Sequence, residues 1–314
     1  MTFSIPSPPI SGWQLGPFFL HIYALCLLTG IALAWWLGSK RWQSRGGSAT
    51  TFEDVLIWAI PIGIVGARFY HVMTHLGDYF AEGATQHWWA IWEGGIAIYG
   101  AIGFGAAGAW LLCRRHRVRF SSLADSLAPG IAIGQAFGRF GNWFNQELYG
   151  WPTDLPWGLE IDAAHRAKGY EQYATFHPTF AYEAIWNLGV AGVLLWADRR
   201  FALGRGKLFS LYIALYGFGR FFTEGIRLDF SYDTFGPIRF NQAVAALICL
   251  AGLAVFAWLS RNRPGREDTV FLDGAPATDP SNDEAADASP DEPVESSQGE
   301  VSSSGTDDGS PSRA

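Results

Sequence analysis

The chain has 314 residues and a mass of 34.5 kDa, with 49% hydrophobic residues, 15 Trp, 23 Phe and only 16% charged residues. Ordinary globular proteins carry about 25% charged residues. The net charge of −7 averages two unlike parts, because residues 267–314 hold 13 of the 29 acids but one of the 22 bases, which leaves residues 1–266 with a net charge of +5. An aromatic, basic, weakly charged body excludes a simple soluble enzyme and a nucleic-acid binder. It predicts a membrane protein.

Seven apolar windows are long enough to cross a bilayer, which requires about 20 residues per helix. All but the first contain charged residues, so a strict hydropathy criterion could miss one. The sequence therefore predicts an all-α, polytopic membrane protein with seven transmembrane helices. In chain order the windows are residues 17–37, 53–73, 90–113, 121–145, 179–197, 207–227 and 239–259.

The loops between these windows differ in basic residues, which accumulate on the cytoplasmic side of a membrane. The loops after the first, third, fifth and seventh windows hold 14 Lys and Arg, whereas the opposite side holds only Arg166, Lys168, Arg227 and Arg239. This asymmetry predicts an N-terminus outside and a C-terminus in the cytoplasm. The first 16 residues contain no Lys or Arg, so we expect the first helix to be retained rather than cleaved as a signal peptide.

Two parts of the chain follow from this pattern. Residues 1–263 form the membrane domain, with a loop at 146–178 that we expect to be a small cap on the outer side. Residues 264–314 are rich in Asp, Glu, Ser and Pro, and such a composition predicts a disordered acidic cytoplasmic tail. The cysteines Cys26, Cys113 and Cys249 show no CxxC spacing, so we expect buried small hydrophobes.

Several charged residues fall inside the predicted helices, where each costs about 2.5–3.5 kcal/mol on insertion scales. The predicted orientation places nearly all of them in the outer half of the bilayer. They could be structural ion pairs, with Glu93, Glu183 and Glu224 neutralising Arg68, Arg139 and Arg220. Alternatively, three guanidinium forks at one depth suit a phosphate, which in a membrane belongs to a lipid headgroup.

A polar motif, GRFGNWFNQELYG at residues 138–150, stands where the fourth helix leaves the membrane. It resembles the GRxGNxxNxExxG signature of bacterial phosphatidylglycerol–prolipoprotein diacylglyceryl transferases, with every specified position present. The resemblance extends over about residues 15–262. It is carried further by the segments 20–23, 66–68, 92–95, 177–179 and 219–227.

The resemblance implies transfer of the diacylglyceryl group from phosphatidylglycerol to the lipobox cysteine of a prolipoprotein signal peptide. The product is a thioether, and glycerol 1-phosphate is released. It also implies a multi-pass protein of the bacterial cytoplasmic membrane whose active site faces the outer leaflet. We expect no cofactor, no metal and no nucleic-acid partner. The alternative is a small lipid-binding membrane transporter without chemistry, although the sequence shows no clear repeat of the kind many transporters have.

The site residues carried over by the resemblance fall into three groups. We expect Arg139 and Arg220 to bind the phosphate, with Arg68 assisting. A supporting network comprises Glu224, Arg227 and Glu93. The catalytic set is Arg139, Arg220, Tyr23, Tyr99, Asn142, Asn145 and Glu147.

Tyr99 departs from the family pattern, which often has His at this position. An unperturbed tyrosine has a pKa of about 10 and is a poor base at neutral pH. The group that accepts the thiol proton is therefore left open by the sequence.

Overall fold

The computed structural model describes residues 4–16, 18–81, 86–91, 94–229, 233–235 and 238–272, with the backbone alone for 233–235. Within these ranges the chain is mostly helical, and seven of its helices have 18 to 26 residues. Each overlaps one of the seven apolar windows. The helices are α1 (Ile22–Gln43), α2 (Ala49–Thr74), the short α3 (Leu76–Phe80), α4 (Ile98–Arg115), α5 (Phe120–Phe144), α6 (Thr179–Phe201), α7 (Lys207–Ile226) and α8 (Phe240–Asn262).

Four helices, α1, α2, α6 and α8, are each long and apolar enough to cross a membrane. The outward faces are apolar: Leu247 and Leu250 on α8 are about two-thirds exposed, as lipid contact requires. The remaining long helices, α4, α5 and α7, carry more glycine and do not meet that criterion by themselves. The chain is thus an α-helical polytopic membrane protein.

Two helices begin later than the sequence predicts. Helix α4 begins at Ile98 rather than at residue 90, because Gly94 and Gly95 have φ angles of +91° and +69°, which a right-handed helix cannot contain. Helix α1 begins at Ile22, after a hairpin. The described residues contain three such two-stranded hairpins, β1 (Gly12–Leu15) with β2 (Phe18–His21), β3 (Leu159–Glu160) with β4 (Thr175–Phe176), and β5 (Asp233–Phe235) with β6 (Ile238–Arg239).

Small residues let the helices approach closely. A Cβ atom at Gly30 of α1 would lie 2.8 Å from the carbonyl oxygen of Gly134 on α5, and one at Gly130 would lie 2.8 Å from that of Ala34. Without a hydrophobic force between helices in lipid, such close packing is a main source of association. Helix α5 therefore lies at the centre of the bundle, against α1 on one side and α6 and α7 on the other.

The loop at 146–178 folds as a small cap. Tyr149, Leu159, Ile161 and Phe176 form its buried core. Ile5 adds to the β3 edge, its N–H donating to Gly158 O at 2.8 Å. Burial raises the pKa of the Tyr149 hydroxyl, which donates to His165 O at 2.8 Å.

Charged side chains meet at the pole of the bundle where α1 and α6 end and α5 and α7 begin. Asp198 on α6 pairs with Arg41 at 2.9 Å, with Arg45 at 3.2 Å and with Arg266 at 2.5 Å. Asp125 accepts hydrogen bonds from the first backbone N–H groups of α7, where a carboxylate is stabilised by the helix dipole. This pole is fixed by paired charges.

Residues 264–272 are folded, although their composition assigned them to the disordered tail. Val270 and Phe271 are buried in the core formed around α2 and α5. Arg119 N donates to Val270 O and Leu272 N to Arg117 O, both at 2.7 Å. The boundary predicted at residue 264 was placed too early, because two apolar side chains and a short backbone pairing suffice to anchor the segment. Residues 273–314 lie outside the described residues, so their disorder stays a prediction.

Replacing Phe271 by Ala tests this anchor. Loss of a buried phenyl ring should lower the free energy of unfolding by about 3–5 kcal/mol, measured as a lower denaturation midpoint in detergent. The matched control is Leu272→Ala, since Leu272 is 43% exposed against 7% for Phe271. The control should change stability by less than about 0.5 kcal/mol. Equal effects of the two substitutions would contradict the anchor.

Candidate active site

The signature motif forms a tight polar turn at the end of α5. The helix ends at Phe144, and Gln146 and Leu148 then adopt left-handed φ angles of 53° and 57°, which non-glycine residues rarely do. This reverses the chain so that Glu147 faces back towards the helix. Its Oε1 accepts hydrogen bonds from Asn142 Nδ2 at 2.9 Å and from Asn145 Nδ2 at 3.2 Å. Three side chains of the predicted catalytic set are thus in contact.

A single carboxylate joins the two principal arginines. Glu183, in the first turns of α6, binds Arg139 Nη2 through Oε2 at 2.6 Å and Arg220 Nη1 through Oε1 at 3.2 Å. Arg139 also donates to Asn142 Oδ1 at 3.3 Å, which connects the pair to the motif turn. Helices α5, α6 and α7 therefore converge on one site, as predicted for Arg139 and Arg220. Both arginines keep about a fifth of the side chain accessible, whereas Glu183 is buried.

The start of α8 fixes the end of α7. Glu224 is fully buried; its Oε2 lies 2.5 Å from Arg220 Nη2 and its Oε1 accepts from Asn241 Nδ2 at 2.8 Å. Arg239 Nη1 donates to the carbonyl oxygens of Glu224 and Arg227, each at 2.7 Å. These contacts set the rotamer of Glu224 and through it that of Arg220.

Arg227, predicted as part of the supporting network, is buried and binds Asp229 through two hydrogen bonds of 2.6 and 3.0 Å. Its Nη1 also lies 4.0 Å from Glu183 Oε1. Burial destabilises a charged side chain, and a nearby carboxylate offsets that cost for the guanidinium groups of Arg139, Arg220 and Arg227. The ion-pair interpretation of the intramembrane charges therefore describes the structure for Arg139, Arg220 and Arg227.

Two residues of this network, Arg239 and Asn241, were missed by the sequence analysis. Glu183 was considered there as an ion-pair partner, and the structure gives it that role. The run Arg239-Phe240-Asn241-Gln242 mixes an arginine with amides at a helix start, much as the signature motif does at a helix end. That mixture of residue types was the sequence feature that could have indicated the role of Arg239 and Asn241. Gln242 Nε2 donates to Phe221 O at 3.1 Å and completes the same junction.

Tyr23 lies at the site. Its ring packs so closely on Gly141 of the motif that a Cβ atom there would collide with it. Tyr99 is placed differently: it is 63% exposed, and its ring lies 6.3 Å from that of Tyr70. The structure thus joins Tyr23, but not Tyr99, to the motif.

Arg68 is buried, but it is engaged elsewhere. Its guanidinium donates four hydrogen bonds of 2.6–3.2 Å to the backbone carbonyls of residues 87, 88, 94 and 95. These bonds hold the connection before α4, and none of them reaches Arg139 or Arg220. The structure therefore does not join Arg68 to the arginine pair. Glu93, expected in the supporting network, lies outside the described residues.

A small cavity of about 10 Å³ lies between α6 and α7 beside Arg220. Its lining includes Glu183 and Arg220 together with the aromatic residues Trp186 and Tyr216. In the residues that the structure describes, no cluster of three or more His, Cys, Asp or Glu side chains has a metal-binding arrangement.

These features define a class of protein: a polytopic membrane protein with an arginine–carboxylate cluster where its helices end, next to an Asn/Glu turn. The family model of the prolipoprotein diacylglyceryl transferases matches residues 11–258. The chain belongs to this family of transferases. This finding confirms the family that the signature motif indicated.

Curated relatives agree over nearly the whole chain. A protein of Streptomyces coelicolor named phosphatidylglycerol–prolipoprotein diacylglyceryl transferase 2 is 49% identical over 91% of this chain and 90% of its own length. A Cutibacterium acnes protein, named phosphatidylglycerol–prolipoprotein diacylglyceryl transferase, is 52% identical over 84% of this chain and 89% of its own length. A Mycobacteroides abscessus protein of the same name is 43% identical over 90% and 85%.

Replacing Glu183 by Gln tests the bridge between the two arginines. The amide keeps the shape but removes the charge that both guanidinium groups share, so stability in detergent should fall by about 1.5–3 kcal/mol. The control is Glu53→Gln on α2, where the side chain is exposed. Unchanged melting temperatures for both variants would show that the bridge does not stabilise the bundle.

Proposed function

We propose that this chain transfers the diacylglyceryl group of phosphatidylglycerol to the cysteine thiol of a prolipoprotein lipobox. The observation that carries the proposal is the arginine pair held by Glu183 beside the Asn142–Glu147 turn. It combines cationic donors with neutral amide donors where α5 and α7 end. This suits a phosphodiester with a glycerol substituent.

In the proposed reaction the cysteine sulfur attacks the glyceryl carbon that bears the phosphate. The new C–S bond replaces a C–O bond, whose electron pair leaves with glycerol 1-phosphate. The thiol proton balances the second negative charge of that product, so no cofactor is required. The thiolate is the reactive form, although a free cysteine has a pKa of about 8.5.

The arginine pair acts on the leaving phosphate. Guanidinium donors placed where negative charge develops stabilise the transition state more than the ground state. Since Glu183 already neutralises the resting pair, the substrate phosphate would bind the accessible N–H groups of Arg139 and Arg220 and weaken the bridge to Glu183. Asn142 and Asn145, oriented by Glu147, would donate to the glycerol or ester oxygens.

The other predicted residues have lesser proposed roles. Glu224 and Arg227 would orient the pair through the network that Arg239 and Asn241 complete. Tyr23 would line the pocket beside the motif. Tyr99 stays in the proposed catalytic set on the resemblance alone, and Arg68 would act indirectly by holding the connection before α4.

We further propose seven spans with the N-terminus outside, in the bacterial cytoplasmic membrane, and the active site facing the outer leaflet. Basic side chains lie over aromatic rings at the C-terminal ends of three helices that would run inward: Lys40 on Trp36, Arg114 on Trp110 and, just after α8, Arg263 on Trp258. Such pairs are typical of the headgroup level. The arginine pair lies at the opposite ends of the helices. Residues 1–263 would form the catalytic domain.

A prolipoprotein would reach this site from within the bilayer, because the apolar part of its signal peptide is itself a membrane helix. The cap at 146–178 lies directly after the motif and would face the segment around the cysteine. A transporter without chemistry is the alternative. The collection of the polar network at one pole, rather than at mid-membrane as in many transporters, favours the enzyme.

The direct test supplies purified protein with phosphatidylglycerol and a synthetic lipobox peptide. Mass spectrometry should detect a diacylglyceryl mass added to the peptide and released glycerol phosphate. A peptide with Ser in place of the Cys is the control and should stay unmodified. No product from folded protein would contradict the function, and lipid flux in proteoliposomes without product would favour the transporter.

Arginine geometry is tested by Arg139→Ala and Arg139→Lys. Removal of a donor to the leaving phosphate should lower kcat about 10²–10³-fold. The lysine variant should be nearly as poor, since an ammonium cannot make a bidentate contact. Initial rates with the lipobox peptide measure both. Full activity of the lysine variant would mean that charge alone is sufficient.

Topology is tested by labelling introduced cysteines with a membrane-impermeant maleimide. Lys168→Cys in the cap loop should react in intact spheroplasts, whereas Ser44→Cys after α1 should react only after the membrane is permeabilised. The unsubstituted chain, whose three cysteines lie in the helices, gives the background. The reverse pattern would invert the proposed orientation.

A further inference from the structure

A second group of arginines lies at the opposite pole of the bundle, around a cavity of roughly 210 Å³. A water molecule takes up about 30 Å³ in the liquid, so the cavity has room for a polyatomic group. The lining combines three guanidinium groups, two hydroxyls and two carboxylates. Its residues are Arg119, Ser121, Arg205, Arg263, Glu267, Asp268 and Thr269.

These three arginines differ from their neighbours in charge pairing. Elsewhere at this pole three guanidinium groups converge on Asp198. In contrast, Arg119, Arg205 and Arg263 form no ion pair with any residue in the described ranges, although the same cavity holds two acids. Glu267 is already occupied, since it accepts from Ser122 Oγ at 2.5 Å and from Arg205 N at 2.7 Å. The lining thus has a net charge of +1, and its three arginines have no carboxylate partner among the described residues.

Arg205, which lines the cavity, is held in an unfavourable state. Its φ angle is +58°, a left-handed conformation that costs a non-glycine residue about 1–3 kcal/mol. Its Nε atom is buried and has no hydrogen-bond partner within the part of the chain that the structure describes. A buried N–H without an acceptor costs about 1–3 kcal/mol more. Arg205 lines the cavity, so an anion bound there would lie next to its charge.

The other groups in the lining suit a tetrahedral oxyanion. Arg119 uses its Nε for Phe271 O at 3.2 Å, which leaves the end of its guanidinium fork for the cavity. Ser121 lies in the first turn of α5, where the helix dipole favours negative charge. Thr269 supplies a second hydroxyl. Arginine forks and hydroxyls together are typical phosphate donors.

We propose that this cavity binds a phosphate group, either the headgroup phosphate of a membrane lipid or free inorganic phosphate. Arg119, Arg205, Arg263 and Ser121 are its donors. Arg263 also lies over Trp258, 5.7 Å from the ring centroid, at the level expected for lipid headgroups. The bound phosphate joins the start of α5, the α6–α7 connection and the segment after α8, and so stabilises that pole. The site is independent of the proposed transferase activity.

The experiment compares the full chain with an Arg205→Gln/Arg263→Gln variant in neutral detergent. The probes are dioleoyl phosphatidic acid, dioleoylglycerol as the matched lipid without phosphate, and inorganic phosphate. Native mass spectrometry measures lipid retention, and thermal denaturation measures the gain in stability. The control, Arg114→Gln/Arg115→Gln, removes two exposed charges at the end of α4 that do not line the cavity.

We expect the cavity variant to bind phosphatidic acid at least about tenfold more weakly than the parent chain, since charge-assisted hydrogen bonds are lost. The control should bind like the parent, and dioleoylglycerol should not distinguish the three proteins. Equal retention of both phosphate probes by the parent and the cavity variant would overturn the proposal. Phosphatidic acid also has access to the Arg139–Arg220 pair, so only the difference between parent and cavity variant counts.

The two sources of phosphate give different results. Stabilisation of the parent chain, but not of the cavity variant, by inorganic phosphate alone identifies a free anion. Stabilisation by phosphatidic acid alone identifies a lipid. Should the double variant fail to fold, Ser121→Ala and Arg263→Gln serve singly, and each should weaken the selective binding. If neither single variant weakens it, the proposal fails.

Discussion

The need to neutralise buried charge governs this structure. A guanidinium or carboxylate surrounded by helices and lipid requires an oppositely charged partner or a full set of hydrogen bonds. Glu183 meets that need for Arg139 and Arg220 at once, and in doing so it ties α5, α6 and α7 to one point. The pairing that stabilises the bundle thus also places two guanidinium groups side by side. Structural ion pairing and phosphate binding, which were alternatives in the sequence, are compatible uses of the same residues.

The two poles of the bundle solve the same problem in different ways. At the pole that holds the signature motif, Arg139, Arg220 and Arg227 each pair with a carboxylate, and Arg139 and Arg220 keep about a fifth of the side chain accessible. At the other pole Asp198 pairs with three arginines, while Arg119, Arg205 and Arg263 line a cavity and have no carboxylate partner among the described residues. The first arrangement suits a substrate that arrives and leaves. The second suits a ligand that stays bound as part of the structure.

Much of the site could be read from residue spacing. The turn formed by Asn142, Asn145 and Glu147 lies within six residues of chain, so the motif alone predicted that these side chains cooperate. Pairing of Arg139 with Arg220 was predicted because both fall at one depth of the bilayer. Arg68 falls at a similar depth, yet its guanidinium binds the carbonyls that precede α4. The depth of a residue in the bilayer gives its position along the membrane normal but not its position around the helix bundle.

The sequence by itself determined the family, the membrane class and the helices, because hydrophobic length and a short motif are local properties of the chain. Only the tertiary structure decided which charges meet. It placed Asn241 of the last helix against Glu224, turned Tyr99 outwards, and packed Phe271 of the supposed tail into the core. Contacts between residues far apart in sequence depend on how the helices are arranged about one another. The spacing of residues along the chain does not predict that arrangement.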